Sequence, residues 1–230
     1  MPNMPSMPKI TRGRQALAQN AHQAQNAHCA LKKNDMETTH HFSWFRQPVT
    51  NTSENAVWTT LEAFRHITLD LDTLTATHEY RRLLTQADGS ERALKEARQF
   101  KARWFSFCTF SARFPHRRVA EMMGHSGLLC MDFDHIGSHH EAEQAKQELF
   151  TLQGFSSELC FISPSGDGVK WVIAIDTTIA PHDVWFEEVA LYVRRTMGLT
   201  ADRACRDVTR CCFLPHDSHC LAQNNGRLAF

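Results

Sequence analysis

The chain has 230 residues with 25 basic and 25 acidic side chains, so its formal net charge is zero; that argues against a protein gripping nucleic acid over its whole surface, since such binding rests on neutralising phosphates. Its length suits one main domain with appended segments, and its longest apolar runs, 127–131 and 171–175, fall far short of the roughly 20 residues that cross a bilayer. No charged-then-apolar leader opens the sequence, and eight cysteines without the spacing of a disulfide scaffold point to reduced thiols, so a cytoplasmic protein with no membrane partner is expected.

Within an extension at 1–40, residues 1–35 are rich in Pro, Asn, Gln, Ala and His and repeat Ala-Gln-Asn-Ala-His at 18–22 and 24–28. Such composition predicts a disordered extension, with Met36 a candidate natural start, followed by the domain at 41–222 and a short tail at 223–230. Residues 54–101 read as interrupted helix, clearest over Ser90–Lys101, where Ser90 can cap and Ala93, Leu94, Ala97 and Lys101 keep helical spacing. Trp104–Phe110 and Gly127–Phe133 are β-prone runs. A helix is predicted over Ser138–Leu152, ending before Gly154, and strands over Glu158–Ser163 and Gly168–Ile175, joined by the turn Pro164-Ser165-Gly166-Asp167. A helix opened by Pro181 and Asp183 and closed by Gly198 precedes a last strand, Arg210–Pro215.

From Gly127 onward this order is βαββαβ, the split βαβ (ferredoxin- or RRM-like) arrangement of an α+β fold. It predicts the first and third strands as neighbours at the sheet centre, both helices on one face, an open opposite face, and the last strand beyond the first. Alternation then points Leu129, Met131 and Phe133 to the helices and Cys130, Asp132 and Asp134 to the open face. On the neighbouring strand Val169, Trp171 and Ile173 belong to the core, which leaves Lys170 and Val172 beside the aspartates.

Two carboxylates at i and i+2 on one face repel unless a cation or proton sits between them, and a divalent ion such as Mg²⁺ is the simplest cause. The plainer reading is a strand end facing water. Ser163, Ser165, Gly166 and Gly168 offer hydroxyls and accessible backbone N–H groups for a phosphate, although hairpin turns use the same residues. Lys170 can hold a triphosphate or merely neutralise the aspartates. Asp202 or Asp207 can add a third metal ligand, and Arg210 can contact phosphate or brace an aspartate. The group Cys205, Cys211, Cys212, His216, His219 and Cys220 lacks paired CxxC spacing and is not read as zinc.

Charge is also uneven along the chain. Residues 92–118 carry eight bases against Glu96, whereas Glu121–Leu191 holds twelve acids and only Lys146 and Lys170 as bases. An acidic site flanked by anion-attracting surfaces fits this pattern, with Arg113, Arg117 and Arg118 as candidate nucleic-acid contacts.

Over Ser126–His135 (SGLLCMDFDH), Phe161–Trp171 (FISPSGDGVKW) and 202–217, the chain resembles the VirE N-terminal domain family of Bacteroidetes mobile elements and phages, which is similar to the archaeo-eukaryotic primase superfamily. The resemblance spans about 42–222. It implies a primase-like sheet core with an N-terminal helical and strand extension, and a primase-polymerase nucleotidyltransferase using Mg²⁺ or Mn²⁺. It assigns Asp132, Asp134 and Asp202 to metal, and Ser165 to Lys170 to the phosphates of nucleotide triphosphates. Lys170 stands where the family carries histidine. A single-stranded DNA or RNA template is the implied partner, and with no helicase-type domain following, the module is expected to work alone or with a separate partner such as a helicase. The main alternative is a non-catalytic nucleic-acid-binding module.

Overall fold

Residues 39–53 and 55–223 are described by a computed structural model. Apart from residues 39, 40 and 223, the expected extension and tail lie outside them. In chain order the described residues form β1 (Phe42–Phe45), β2 (Asn55–Trp58), α1 (Thr60–Leu69), α2 (Leu71–Gln86), α3 (Glu91–Trp104), β3 (Phe107–Thr109), β4 (Ala112–Arg113), β5 (Gly124–His125), β6 (Leu128–Phe133), α4 (His139–Phe150), β7 (Ser156–Ile162), β8 (Val169–Ala174), α5 (His182–Met197), β9 (Cys212–Phe213) and β10 (Leu221–Ala222).

The helix ends follow local chemistry. Ser138 opens α4 with a capping box, its hydroxyl accepting from Glu141 N–H at 3.3 Å while its own N–H donates to Glu141 Oε2 at 2.7 Å. Gly198 closes α5 in the left-handed conformation at φ 74°, which a residue without Cβ adopts without strain.

The strands build two antiparallel four-stranded sheets, ordered β2-β1-β3-β9 and β10-β7-β8-β6, and a ribbon of β4 and β5. Mixed α+β architecture is therefore as expected, with five helices among the described residues. The first and third strands of the predicted core, β6 and β8, are antiparallel neighbours with Asp132 opposite Lys170. One face packs Leu129, Met131, Phe133, Trp171 and Ile173 against Ala142 and Leu149 of α4 and Phe186, Val189 and Val193 of α5. That is the alternation the sequence predicts.

Four expectations need correction. The opposite face is not open: Leu128, Phe161 and Val172 pack against Phe42, Phe110, Leu214 and the α1 residues Ala63 and Ile67. An apolar face leaves water when it can, each large side chain contributing about 1.5–3 kcal/mol on burial, and the first sheet with α1 supplies its cover. Nor does the last strand lie beside β6, which is an edge rather than a centre strand. β9 instead pairs with β3, Phe107 opposite Phe213 and Cys108 opposite Cys212, because the aromatic side chains of the first sheet offer it a partner. A short 3₁₀ turn at Arg203–Arg206 flanks β6, tied on by Asp202 N–H donating to the Asp132 carbonyl at 2.8 Å. The β-prone run at Trp104–Phe110 also begins one element early, since Trp104 ends α3. No described helix is long and apolar enough to cross a membrane.

Candidate functional site

Because Asp132 and Lys170 are cross-strand partners on the covered face, the fold buries both, leaving their side chains 8% and 9% exposed. They form an ion pair through Asp132 Oδ2, and Lys170 Nζ also lies 4.0 Å from Asp134 Oδ1. Burial pushes the Asp132 carboxyl above the usual carboxylate range, opposed by the ammonium beside it. Burial is the strongest single influence on Lys170 and lowers it, but the Asp132 and Asp134 carboxylates and the Asp132 hydrogen bond act together to hold the ammonium well above its ordinary range. Asp132 Oδ1 is buried with no hydrogen-bond partner among the described residues. Leaving such an oxygen unsatisfied costs about 1–3 kcal/mol, more for a charged group, so the site calls for a cation or a proton. Asp134, at the strand end, is 47% exposed.

The 3₁₀ turn brings the third carboxylate. Asp202 Oδ1 accepts from Ala204 N–H at 3.0 Å, and Oδ2 accepts from Arg210 Nη2 at 2.7 Å. Asp132, Asp202 and Cys205 each offer a ligand atom, all within 4.8 Å of one another. Asp207 is instead taken up by Thr209, whose N–H and hydroxyl both donate to it at 2.8 Å. The sequence names Cys205 only within a Cys/His group that lacks paired CxxC spacing and is not read as zinc, and it is the docking of the turn that brings Cys205 to Asp132 and Asp202.

Behind that turn stands a histidine relay. His125 Nδ1 accepts from Gly127 N–H at 3.0 Å, so its Nε2 carries the proton and donates to His182 Nδ1 at 3.1 Å, and His182 Nε2 donates to the Cys205 carbonyl at 3.1 Å. Burial and the neighbouring His182 push His125 down to about 4, and burial lowers His182 as well. Both rings are neutral in this arrangement.

The Ser163–Gly168 turn is closed on itself. Ser163 N–H donates to the Gly168 carbonyl at 2.8 Å, the two serine hydroxyls lie 2.9 Å apart, and Ser165 donates to Asp167 Oδ1 at 2.6 Å. Arg81 braces it from α2, donating to the Pro164 carbonyl at 3.2 Å. The glycines serve close approach: a Cβ on Gly168 would stand 2.6 Å from the Phe133 carbonyl oxygen, and Gly166 has φ 91°. His135, hydrogen-bonded to Asp167 at 2.9 Å, is lifted above the usual imidazole range by that bond.

A cleft of about 550 Å³ unites these parts, lined by Asp132, Asp134, Ser163, Ser165, Lys170, Asp207 and Arg210 together with Lys101, Arg117 and Phe213. Gly166, Gly168 and Asp202 shape its surroundings without lining it. Lys101 reaches in from the last turn of α3, 5.5 Å from the Phe213 ring centre; burial and Lys170 lower its ammonium below the ordinary lysine range. Of the three predicted nucleic-acid arginines only Arg117 is present, donating to the Val49 carbonyl at 3.3 Å. Arg118 pairs with Glu121 at 3.6 Å, and Arg113 sits on the β4–β5 ribbon. The chain bends at 115–117, where Arg118 N–H donates to the His116 carbonyl at 2.7 Å, and the two neighbouring arginines take different partners.

Fold and site together define an α+β domain with a buried aspartate–lysine pair in a cleft of mixed charge. The model of the BT4734-like, N-terminal domain family matches residues 99–221, just over half of the chain. The chain belongs to that family, and the matched stretch includes Lys101, both strand aspartates, the Ser163–Gly168 turn, Asp202 and Arg210. No curated protein and no solved structure matches it.

Proposed function

We propose that the chain is a primase-polymerase-like nucleotidyltransferase domain of a mobile element or phage. It would join nucleotide triphosphates on a single-stranded DNA or RNA template in the cytoplasm, with Mg²⁺ or Mn²⁺ held by Asp132, Asp134 and Asp202. The observation that carries this reading is the buried, unpartnered Asp132 Oδ1 at a cleft of about 550 Å³, a volume typical of small-molecule sites. The donor set fits a hard divalent ion, which supplies charge neutralisation at the departing pyrophosphate and activation of a 3′ hydroxyl.

The side chains divide the remaining work. Lys170 and Arg210 stand beside the carboxylates, where they can hold phosphate oxygens, and Lys101 and Arg117 extend the cationic wall toward an incoming strand. Phe213 offers a ring face for a base. The three motifs that resemble the VirE N-terminal and primase families support the same reading. In it, β6-α4-β7-β8-α5 is a split βαβ core of primase type whose final strand has joined the first sheet.

The second reading, nucleotide or nucleic-acid binding without transfer, is favoured by Lys170, which already occupies Asp132 Oδ2. The test is synthesis from labelled nucleotide triphosphates on single-stranded templates with Mn²⁺ or Mg²⁺, using the intact chain. Template-dependent products that disappear in Asp132→Ala are expected. Binding without products selects the second reading, and the absence of both removes the two together.

A further inference from the structure

The innermost metal-binding group contains a sulfur. Asp132, Asp202 and Cys205 place one donor atom each within 4.8 Å of one another, whereas Asp134 is not in this group. A tetrahedral ion with metal–sulfur and metal–oxygen distances of roughly 2.3 and 2.1 Å sets its donors roughly 3.6 Å apart. Side-chain rotations that close about 1 Å therefore suffice to convert the group into a coordination shell.

Three further observations point the same way. Asp132, its side chain 8% exposed, keeps Oδ1 buried and without a partner among the described residues, and a buried carboxylate oxygen in that state calls for a cation or a proton. A cavity of about 10 Å³, about the size of one ion or water, is lined by Asp132, Lys170, Cys205, Asp207 and Arg210 among others, so Asp132 and Cys205 face it directly and Asp202 stands beside it. The ligand-bearing turn is also held from outside, as metal ligands commonly are. Arg210 donates to Asp202 at 2.7 Å, Asp202 N–H to the Asp132 carbonyl at 2.8 Å, and His182 to the Cys205 carbonyl at 3.1 Å.

We propose that Cys205 is a metal ligand, and that Asp132, Asp202 and Cys205 together select a divalent cation that accepts sulfur as well as oxygen, Zn²⁺ foremost and Mg²⁺ last. This rests on the metal-site reading of Asp132 and Asp202 given above and narrows its ion from Mg²⁺ or Mn²⁺ to one that also accepts sulfur. Softness supplies the selectivity: a thiolate suits Zn²⁺ and Co²⁺, while Mg²⁺ demands oxygen ligands in octahedral geometry. On binding, the Cys205 thiol releases its proton to solvent. Lys170, Arg210 and the divalent ion together carry one positive charge more than the three anionic donors, and the Asp134 carboxylate, 4.0 Å from Lys170 Nζ, offsets it.

Titration of the full chain with Co²⁺, followed by absorption spectroscopy, tests this directly. A thiolate-to-cobalt charge-transfer band in the near ultraviolet is expected, with visible bands of tetrahedral intensity. Zn²⁺ should displace the Co²⁺ and a tenfold excess of Mg²⁺ should not. Asp132→Asn and Cys205→Ser should each weaken Co²⁺ binding at least tenfold, Cys205→Ser with loss of the charge-transfer band, while Cys212→Ser keeps it. If Cys205→Ser does not fold, alkylation by iodoacetamide mapped by mass spectrometry decides on the parent chain: Zn²⁺ must protect Cys205. Co²⁺ binding without the band, a band that survives Cys205→Ser, or no protection overturns the proposal. The band without template-directed synthesis keeps the thiolate site and removes the transferase reading, and synthesis without the band does the reverse.

Discussion

Replacing Asp132 with Asn separates a buried ion pair from a pair of surface carboxylates. Were Asp132 and Asp134 on an open face, the substitution would relieve their repulsion and leave the fold as stable as before or slightly more so. The structure reverses that sign. Lys170 is 7% exposed and its ammonium bonds Asp132 Oδ2, so the variant strands a buried cation, a change that costs about 3–5 kcal/mol when one member of such a pair is removed. Two features reduce the loss. Asp134 stays 4.0 Å from the ammonium, and the Asn carbonyl still accepts a hydrogen bond, so about 2–3 kcal/mol is expected. Urea unfolding at neutral pH, followed through tryptophan fluorescence, measures it as a lower midpoint at unchanged slope. Adding Lys170→Met to Asp132→Asn removes the stranded charge and should recover most of the loss, giving a double-mutant coupling of about 1–3 kcal/mol. An Asp132→Asn variant as stable as its parent, with no coupling to Lys170→Met, would refute the buried pair.

Lys146→Met should cost about 3–5 kcal/mol in the same unfolding assay, because its wholly buried ammonium bonds Glu143 Oε2 at 2.9 Å and Asp217 Oδ2 at 3.0 Å, and that Asp217 oxygen also accepts from Ile162 N–H at 2.9 Å. Stability should fall with acid through the histidine relay. Folding depresses His125 from 6.5 to about 4, so its contribution is whole above pH 6.5, is lost as pH falls toward about 4, and amounts to about 2 kcal/mol after discounting for partial exposure; His125→Gln should flatten the urea midpoint across that window. Arg117→Ala should weaken single-strand binding and reduce the magnitude of its log–log salt slope by roughly 0.7, whereas Arg118→Ala, already paired with Glu121, should leave filter-binding isotherms unchanged.

What the sequence disclosed and what it hid divide along range of interaction. Alternation is local, so Leu129, Met131 and Phe133 could be placed on the helix-covered face without any partner strand in view, and the predicted strand order then set Lys170 beside Asp132. The cap and glycine stop of α4 and α5 are local too. Cover for the other face depends instead on β1, β3 and α1, whose aromatic runs name no partner in advance; Phe42 meets Phe110 at 4.7 Å and Phe110 meets Phe161 at 6.5 Å only once both sheets exist. The place of Cys205 was hidden for the same reason, since one backbone hydrogen bond from Asp202 to Asp132 sets its turn beside the strand. Lys101 was legible as helix but not as site, because its stem lies along apolar surface while its ammonium reaches the cleft.

The covered face also explains why the two strand aspartates are not equivalent. A face packed against a second sheet cannot hold two uncompensated carboxylates, because burying an ionised group without a partner costs several kcal/mol. The fold meets this by setting Asp132 directly across from Lys170, inside the strand, and by ending β6 at Phe133, so that Asp134 falls beyond the sheet and stays 47% exposed. Asp132 therefore faces Cys205 and Asp202 inward, while Asp134 faces the cleft and whatever enters it. Under the proposed function, an acidic pair divided in this way would hold one ion deeply in the protein and share a second contact with a ligand, rather than form two equal metal positions.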